Sequence, residues 1–145
     1  MIGLLQRVRS ASVRIEERLC GEIGIGLLVL IGVRQGDTPA DAERLAQRLL
    51  DYRVFPDAQG RMNLSVRDIG AELLLVPQFT LAADTESGNR PGFSGAAAAA
   101  LARPLFEQLV EATRAEGRRV ATGEFGAHMQ VSLINDGPVT FWLET

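Results

Sequence analysis

Two short runs of uninterrupted apolar residues, Leu27-Leu28-Val29-Leu30-Ile31 and Leu73-Leu74-Leu75-Val76, restrict this chain more than any other feature. Neither alternates apolar with polar residues, as a strand with one face in water does. A continuous apolar run of this length reads as a strand buried on both faces. Other layers of the fold must therefore cover these strands from two sides.

The pattern elsewhere says what those layers are. Leu4, Gln6 and Val8, then Val13 and Ile15, alternate as strands do, and Glu16-Glu17-Arg18 reads as a turn. Gly21 to Gly26 is a glycine-punctuated stretch. Thr38 suits a helix N-cap, Pro39 the first helical position, and Asp41 the third position of a capping box. Ala42, Leu45, Ala46 and Leu49 follow on one helical face. Phe55 to Gly60 reads as a turn, and residues 84–95 as a loop. A second helix is expected over Ala98–Glu116, with Leu101, Leu105, Leu109 and Ala112 on one face, Gly117 as its C-cap, and a start or a kink near Pro104. Two last strands, Met129–Ile134 and Val139–Leu143, are joined by Asn135-Asp136-Gly137-Pro138. About seven strands and two helices in this order predict a mixed α+β fold: sheet layered on sheet, with helices on an outer face rather than in βαβ alternation.

The chain's 145 residues suit one domain spanning residues 1–145. A domain of this size buries about 70% of the surface its unfolded form exposes, so its core needs no disulfide or metal. A single cysteine, Cys20, and a single histidine, His128, exclude an intramolecular disulfide and a zinc site of several Cys and His ligands. The early charges at Arg7 and Arg9 do not fit a signal peptide, and the apolar run from Ile23 to Val33 is too short to span a membrane. These features, with a lone cysteine, predict a cytoplasmic protein with no membrane partner. The formal net charge of −3 argues against a general nucleic-acid binder. All 15 basic residues are arginine, a choice consistent with coding bias or with a grip on phosphates.

Few residues are placed for chemistry. Gly24-Ile25-Gly26 lacks the third glycine and the lysine of a phosphate loop. His128 reads as a strand histidine rather than a base, and Cys20, between Leu19 and Gly21, as no nucleophile. Two segments remain. Gln78-Phe79-Thr80 stands where a buried strand emerges, a place where binding sites are common and where polar side chains also simply face solvent. Asn135-Asp136-Gly137-Pro138-Val139-Thr140 holds an X-Pro bond able to be cis, beside a glycine that permits close backbone approach. It reads equally as a hairpin turn.

Taken in order, Gln6-Arg7-Val8, Gly24 to Gly32, Gln78 to Thr85, Arg90-Pro91, Met129 to Leu133 and Asn135 to Phe141 resemble the D-aminoacyl-tRNA deacylase family. The resemblance runs from Met1 to Glu144. It implies a layered sheet-and-helix homodimer without an obligatory metal or cofactor, acting on the 3′ end of aminoacyl-tRNA. It implies catalysis at Gln78, Phe79 and Thr80. It also implies chiral selection by Gly137 and Pro138 of the other subunit, whose carbonyl oxygens, in a cis Gly-Pro pair, exclude an L side chain. Arg7, Met129, Asn135 and Thr140 become supporting or tRNA-binding residues, and the terminal adenosine docks nearby. The chain departs from the family's usual Ser-Gln-Phe-Thr at Pro77, which has neither the hydroxyl nor the amide donor of that serine. A related animal family has Pro-Gln there with a trans Gly-Pro bond. Phe79 and the full-length match place this chain with the main family.

The expected reaction is hydrolysis of D-aminoacyl-tRNA, and of glycyl-tRNA mischarged on tRNA-Ala, by water. Backbone N–H groups of Phe79 and Thr80 serve as oxyanion donors and the terminal 2′-hydroxyl assists; Thr80 as covalent nucleophile is the alternative. Two other readings are a non-catalytic RNA-end binding module, using Phe79, Phe93 or Trp142 for stacking, and a small-ester hydrolase.

Overall fold

In the computed structural model, which describes residues 1–145, the order is β1 (Ile2–Ile15), β2 (Arg18–Ile23), β3 (Gly26–Gly32), α1 (Pro39–Asp51), β4 (Phe55–Pro56), β5 (Met62–Leu64), α2 (Val66–Ile69), β6 (Glu72–Pro77), a 3-10 turn (Phe79–Ala82), α3 (Ala99–Arg114), β7 (Val120–Thr122) and β8 (Gln130–Glu144). The two apolar runs become neighbouring parallel strands, β3 and β6, paired from Gly26 with Glu72 to Ile31 with Pro77.

Their cover comes from two sources. On one face Leu27, Val29, Ile31, Leu73 and Leu75 pack with helix residues such as Leu45, Leu49, Leu105 and Leu109. On the other face Leu28, Leu74 and Val76 pack with Val8, Ala11, Val13 and Ile23. That second layer belongs to the same sheet. The first half of β1 pairs with β3, its second half pairs with β2, and β8 follows β1 along both halves. β1 and β8 thus carry the sheet from one layer into the other. The expected sheet-on-sheet arrangement with outer helices is present, built by one six-stranded sheet folded over itself, with the small β4–β5 pair beside it.

α1 starts as its sequence dictates. The Asp41 carboxylate accepts from the Thr38 backbone N–H at 2.9 Å and from its hydroxyl at 2.6 Å, and Ala42, Leu45, Ala46 and Leu49 are buried. α3 runs through Pro104, which falls in its second turn. The inward face differs from the expected one: Ala102, Leu105, Phe106 and Leu109 are buried, whereas Leu101 is 44% exposed. α2 is an additional four-residue helix; its cap Ser65 and Asp68 bond reciprocally.

Two expectations about the C-terminal region are corrected. His128 lies before β8 rather than within a strand, and it is exposed. The final two strands are one strand, both parts running antiparallel to β1. Val8 pairs with Asn135 and Gln6 with Thr140, so one residue of β1 is spanned by four of β8. Asn135–Val139 is therefore a bulge in a continuous strand, not a hairpin turn, because both flanks must stay on β1 to cover the core.

Leu74 is fully buried between the two sheet layers. Leu74→Ala should cost about 3 kcal/mol and lower Tm by roughly 10 °C, read by thermal unfolding; a shift of a degree or two would show that the layers close around the loss. The hydrogen bonds from Thr38 and Ser65 also lower the pKa of Asp41, mainly through the Thr38 hydroxyl, and of Asp68, mainly through the Ser65 backbone. A carboxylate with a depressed folded pKa stabilises the fold above its unfolded value of about 3.9, and that contribution is lost as pH falls through the folded value. The Tm deficit of an Asp41→Asn, Asp68→Asn double variant at pH 6 should therefore shrink below about pH 4.

Candidate active site

β6 ends on a residue that cannot continue the ladder. Gln78 turns its N–H toward β3 and donates to the Ile31 carbonyl at 2.7 Å. The preceding nitrogen, Pro77, turns toward β7, whose last pair is Thr122 with Leu75. The proline thus terminates pairing at that edge instead of interrupting it. The chain then makes its 3-10 turn against β3. Gly32 makes the approach possible, since a Cβ there would lie 2.9 Å from the Leu81 Cβ.

The turn leaves two donors free. Leu81 N–H bonds to the Gln78 carbonyl and Ala83 N–H to that of Thr80, while no side chain caps the turn. The amides of Phe79 and Thr80 are its first N–H groups and have no partner. The Gln78 side chain donates from Nε2 to the Thr80 Oγ1 at 2.5 Å. The Thr80 hydroxyl therefore receives an amide proton and has no general base bonded to it.

Gln78 and Phe79 open onto a cavity of about 390 Å³ between the end of β6, the start of α3 and the segment before β8. Met129 lines it, and so do Phe106, Phe125 and His128, which the sequence did not single out as site residues. The Met129 sulfur accepts from Glu124 N–H at 3.3 Å. Phe125 is held by Arg103, whose guanidinium sits 5.0 Å from its ring centroid. No carboxylate or guanidinium lines the cavity, and His128 is its one titratable side chain. Such a space accepts a neutral, flat, largely apolar group with a few polar edges. No three His, Cys, Asp or Glu side chains gather in a metal-holding group.

The second predicted group assembles elsewhere. The Gly137-Pro138 bond is cis. Asn135 closes the bulge around it: its Oδ1 accepts from Val139 N–H at 2.8 Å and its Nδ2 donates to the Val139 carbonyl at 3.0 Å. Only glycine fits at 137, where a Cβ would lie 2.1 Å from the Val139 nitrogen. Arg7, largely buried, donates from Nε to the Asp136 carbonyl at 2.9 Å and from Nη1 to the Val54 carbonyl at 2.5 Å. Gln6 Nε2 donates to Thr140 Oγ1 at 3.2 Å. Arg7, Asn135 and Thr140 thus join Gly137-Pro138, whereas Met129 joins Gln78, Phe79 and Thr80.

The two groups lie far apart in one chain. Pro77 pairs with Ile31, which pairs with Gly3, four residues along β1 from Arg7. Four residues of strand and three strand spacings separate the groups by about 20 Å. Gly137 and Pro138 project, exposed, from β8, whose outer edge pairs with no strand. Ile134 and Trp142 on the same strand are 59% and 48% exposed.

Of the residues lining the cavity, Phe125 and His128 stand in a loop, where hydrophobic periodicity carries no signal. Phe93 was visible only as an available aromatic; it packs on Phe79 with ring centroids 5.1 Å apart.

Residues 4–144 match the family model described as D-Tyr-tRNA(Tyr) deacylase. The chain is 60% identical over 144 residues to a protein of Thioalkalivibrio sulfidiphilus named D-aminoacyl-tRNA deacylase, across 99% of this chain and 97% of that one. A protein of Salmonella paratyphi C with the same name is 56% identical over 144 residues, across 99% of each chain. Among solved structures, one described as c-Myc DNA Unwinding Element Binding Protein superimposes with a TM-score of 0.93 at 38% identity, covering 100% of this chain and 99% of the other. A probable eukaryotic D-amino acid tRNA deacylase shares the fold, with a TM-score of 0.84 at 17% identity over 99% of this chain and 98% of that one.

Proposed function

Because the chain belongs to the D-Tyr-tRNA(Tyr) deacylase family, we propose that it hydrolyses the ester joining a D-amino acid to the 3′ end of tRNA, with the catalytic segment of one copy meeting the Gly137-Pro138 bulge of a second. The observation that carries this reading is the pair of unpartnered amides at Phe79 and Thr80, set at the mouth of an uncharged cavity.

Ester hydrolysis moves negative charge onto the carbonyl oxygen. Fixed N–H donors stabilise that charge without reorganising, and one such donor is worth about 10²–10³ in rate. The cavity takes the terminal adenosine, whose neutral base suits a lining without charge. A bound water is the nucleophile, assisted by the terminal 2′-hydroxyl. Thr80 is oriented by Gln78 and does not attack. The whole chain acts as one deacylase domain, cytoplasmic like its substrate; no helix is long and apolar enough to cross a membrane.

The separation of about 20 Å between the two groups of site residues requires the second copy. The unpaired edge of β8, with exposed Ile134 and Trp142, offers the surface for a two-fold pairing that carries each bulge into the other copy's site. There the bulge carbonyls occupy the space that an L side chain needs. An attractive apolar pocket separates small groups by only ~1–3 kcal/mol per methylene, whereas a rigid obstacle acts by repulsion and discriminates more strongly. Glycine has nothing to exclude, so glycyl-tRNA mischarged on tRNA-Ala is also cleaved.

Purified protein should release D-Tyr from D-Tyr-tRNA and leave L-Tyr-tRNA intact. Gly137→Ala, which forces the bulge open, should erase much of that preference; equal cleavage of both by the native protein would refute steric exclusion. Thr80→Ala should retain activity within about tenfold, since no covalent step is lost. Complete inactivity of that variant, with an unchanged melting curve, would make Thr80 the nucleophile.

A further inference from the structure

Phe79 and Phe93 are conspicuous among the chain's aromatic residues. Phe55 and Phe106 are buried, and Tyr52, Phe125 and Phe141 pack partly buried against the core. Phe79 and Phe93 are 58% and 42% exposed, yet they touch each other, at 5.1 Å and a 50° tilt. Phe79 also lines the cavity whereas Phe93 does not, so through their contact Phe93 adds exposed apolar surface beside the cavity.

Phe93 is held on both sides. Gly92 before it exchanges two backbone bonds with Asp84, at 2.8 and 2.9 Å. After it, Gln35 donates from its side chain to the Ser94 carbonyl at 2.8 Å and from its backbone to the Gly95 carbonyl at 3.0 Å. The ring therefore stands on a segment tied by hydrogen bonds on both sides of it.

We propose that Phe79 and Phe93 form a stacking platform for the base of the nucleotide that precedes the terminal adenosine, which makes Phe93 a substrate-binding residue. This rests on the deacylase reading, which puts the terminal adenosine in the cavity; the preceding nucleotide then leaves past Phe79. Charge favours stacking as the mode of binding. The protein is formally −3 and no cation lines the cavity, so the lining itself offers a phosphate no ion pair. Stacking on aromatic rings needs no charge and accepts any base.

The test compares two small esters, D-tyrosyl-adenosine and D-tyrosyl-cytidylyl-adenosine, which differ by one nucleotide. The native protein should show the higher kcat/KM on the dinucleotide ester. Phe93→Ala should lower that value by about tenfold, leave the adenosine ester within twofold, and keep the oligomeric state and melting curve; Phe93→Trp should restore the dinucleotide advantage. Equal losses on both esters would overturn the platform and make Phe93 a support for Phe79. A native protein indifferent to the added nucleotide, an unaffected Phe93→Ala variant, or a variant that changes oligomeric state and loses both activities would also overturn it. Native protein inert on both esters and on D-aminoacyl-tRNA would instead sink the deacylase reading, and the platform with it.

Discussion

Burial of β3 and β6 on both faces is the constraint from which the rest of the structure follows. A single sheet face cannot hold Leu27, Val29 and Ile31 on one side and Leu28, Leu74 and Val76 on the other without two covering layers. The helices supply one. The second is supplied by continuing β1 past its pairing with β3 and doubling the sheet back over itself, which needs no further domain. The length of β1 and β8 follows from that requirement, since both must run through two layers.

The same constraint places the two candidate site segments. β6 lies in the middle of the protein, so the point where it emerges is stiffly held and opens beside α3 and the segment before β8. A strand that stops on proline and turns into a short 3-10 segment leaves backbone donors unspent at that point. β8, pushed to the sheet edge, has to keep both its ends on β1 while absorbing extra residues. The surplus is expelled as the Asn135–Val139 bulge, tied by Asn135 and backed by Arg7. The unpartnered amides of Phe79 and Thr80 and the Gly137-Pro138 bulge thus sit at different places on one chain, which is why the proposed reaction calls on a second copy.

Pro77 is a departure from the motif that the structure accommodates without strain elsewhere. Its nitrogen faces the side where β7 has run out, while the bond that anchors the turn is made by Gln78. Donors at Phe79 and Thr80 are main-chain groups and do not depend on the side chain at 77. The Gly137-Pro138 bond is cis here.

Local chemistry made much of this readable in advance. The continuous apolar runs, the Thr38-Pro39-Asp41 cap and the periodicity of Ala42 to Leu49 are short-range signals, and each dictated its element. The site segments were legible through family resemblance rather than through spacing, because a polar residue at a strand end looks the same whether it binds substrate or faces water. The bulge, the exposed place of His128, the inward turn of Phe106 in place of Leu101, and the contact of Phe93 with Phe79 were not readable. Each depends on which distant residues arrive beside it. Which strands must be buried on two sides, and where the first helix begins, were already written in the order of the residues. That one sheet provides both layers, and that Gln78-Phe79-Thr80 and Gly137-Pro138 stand apart, emerged from the three-dimensional fold alone, because pairing between β1 and β8 joins residues more than a hundred positions apart, and no local preference encodes that register.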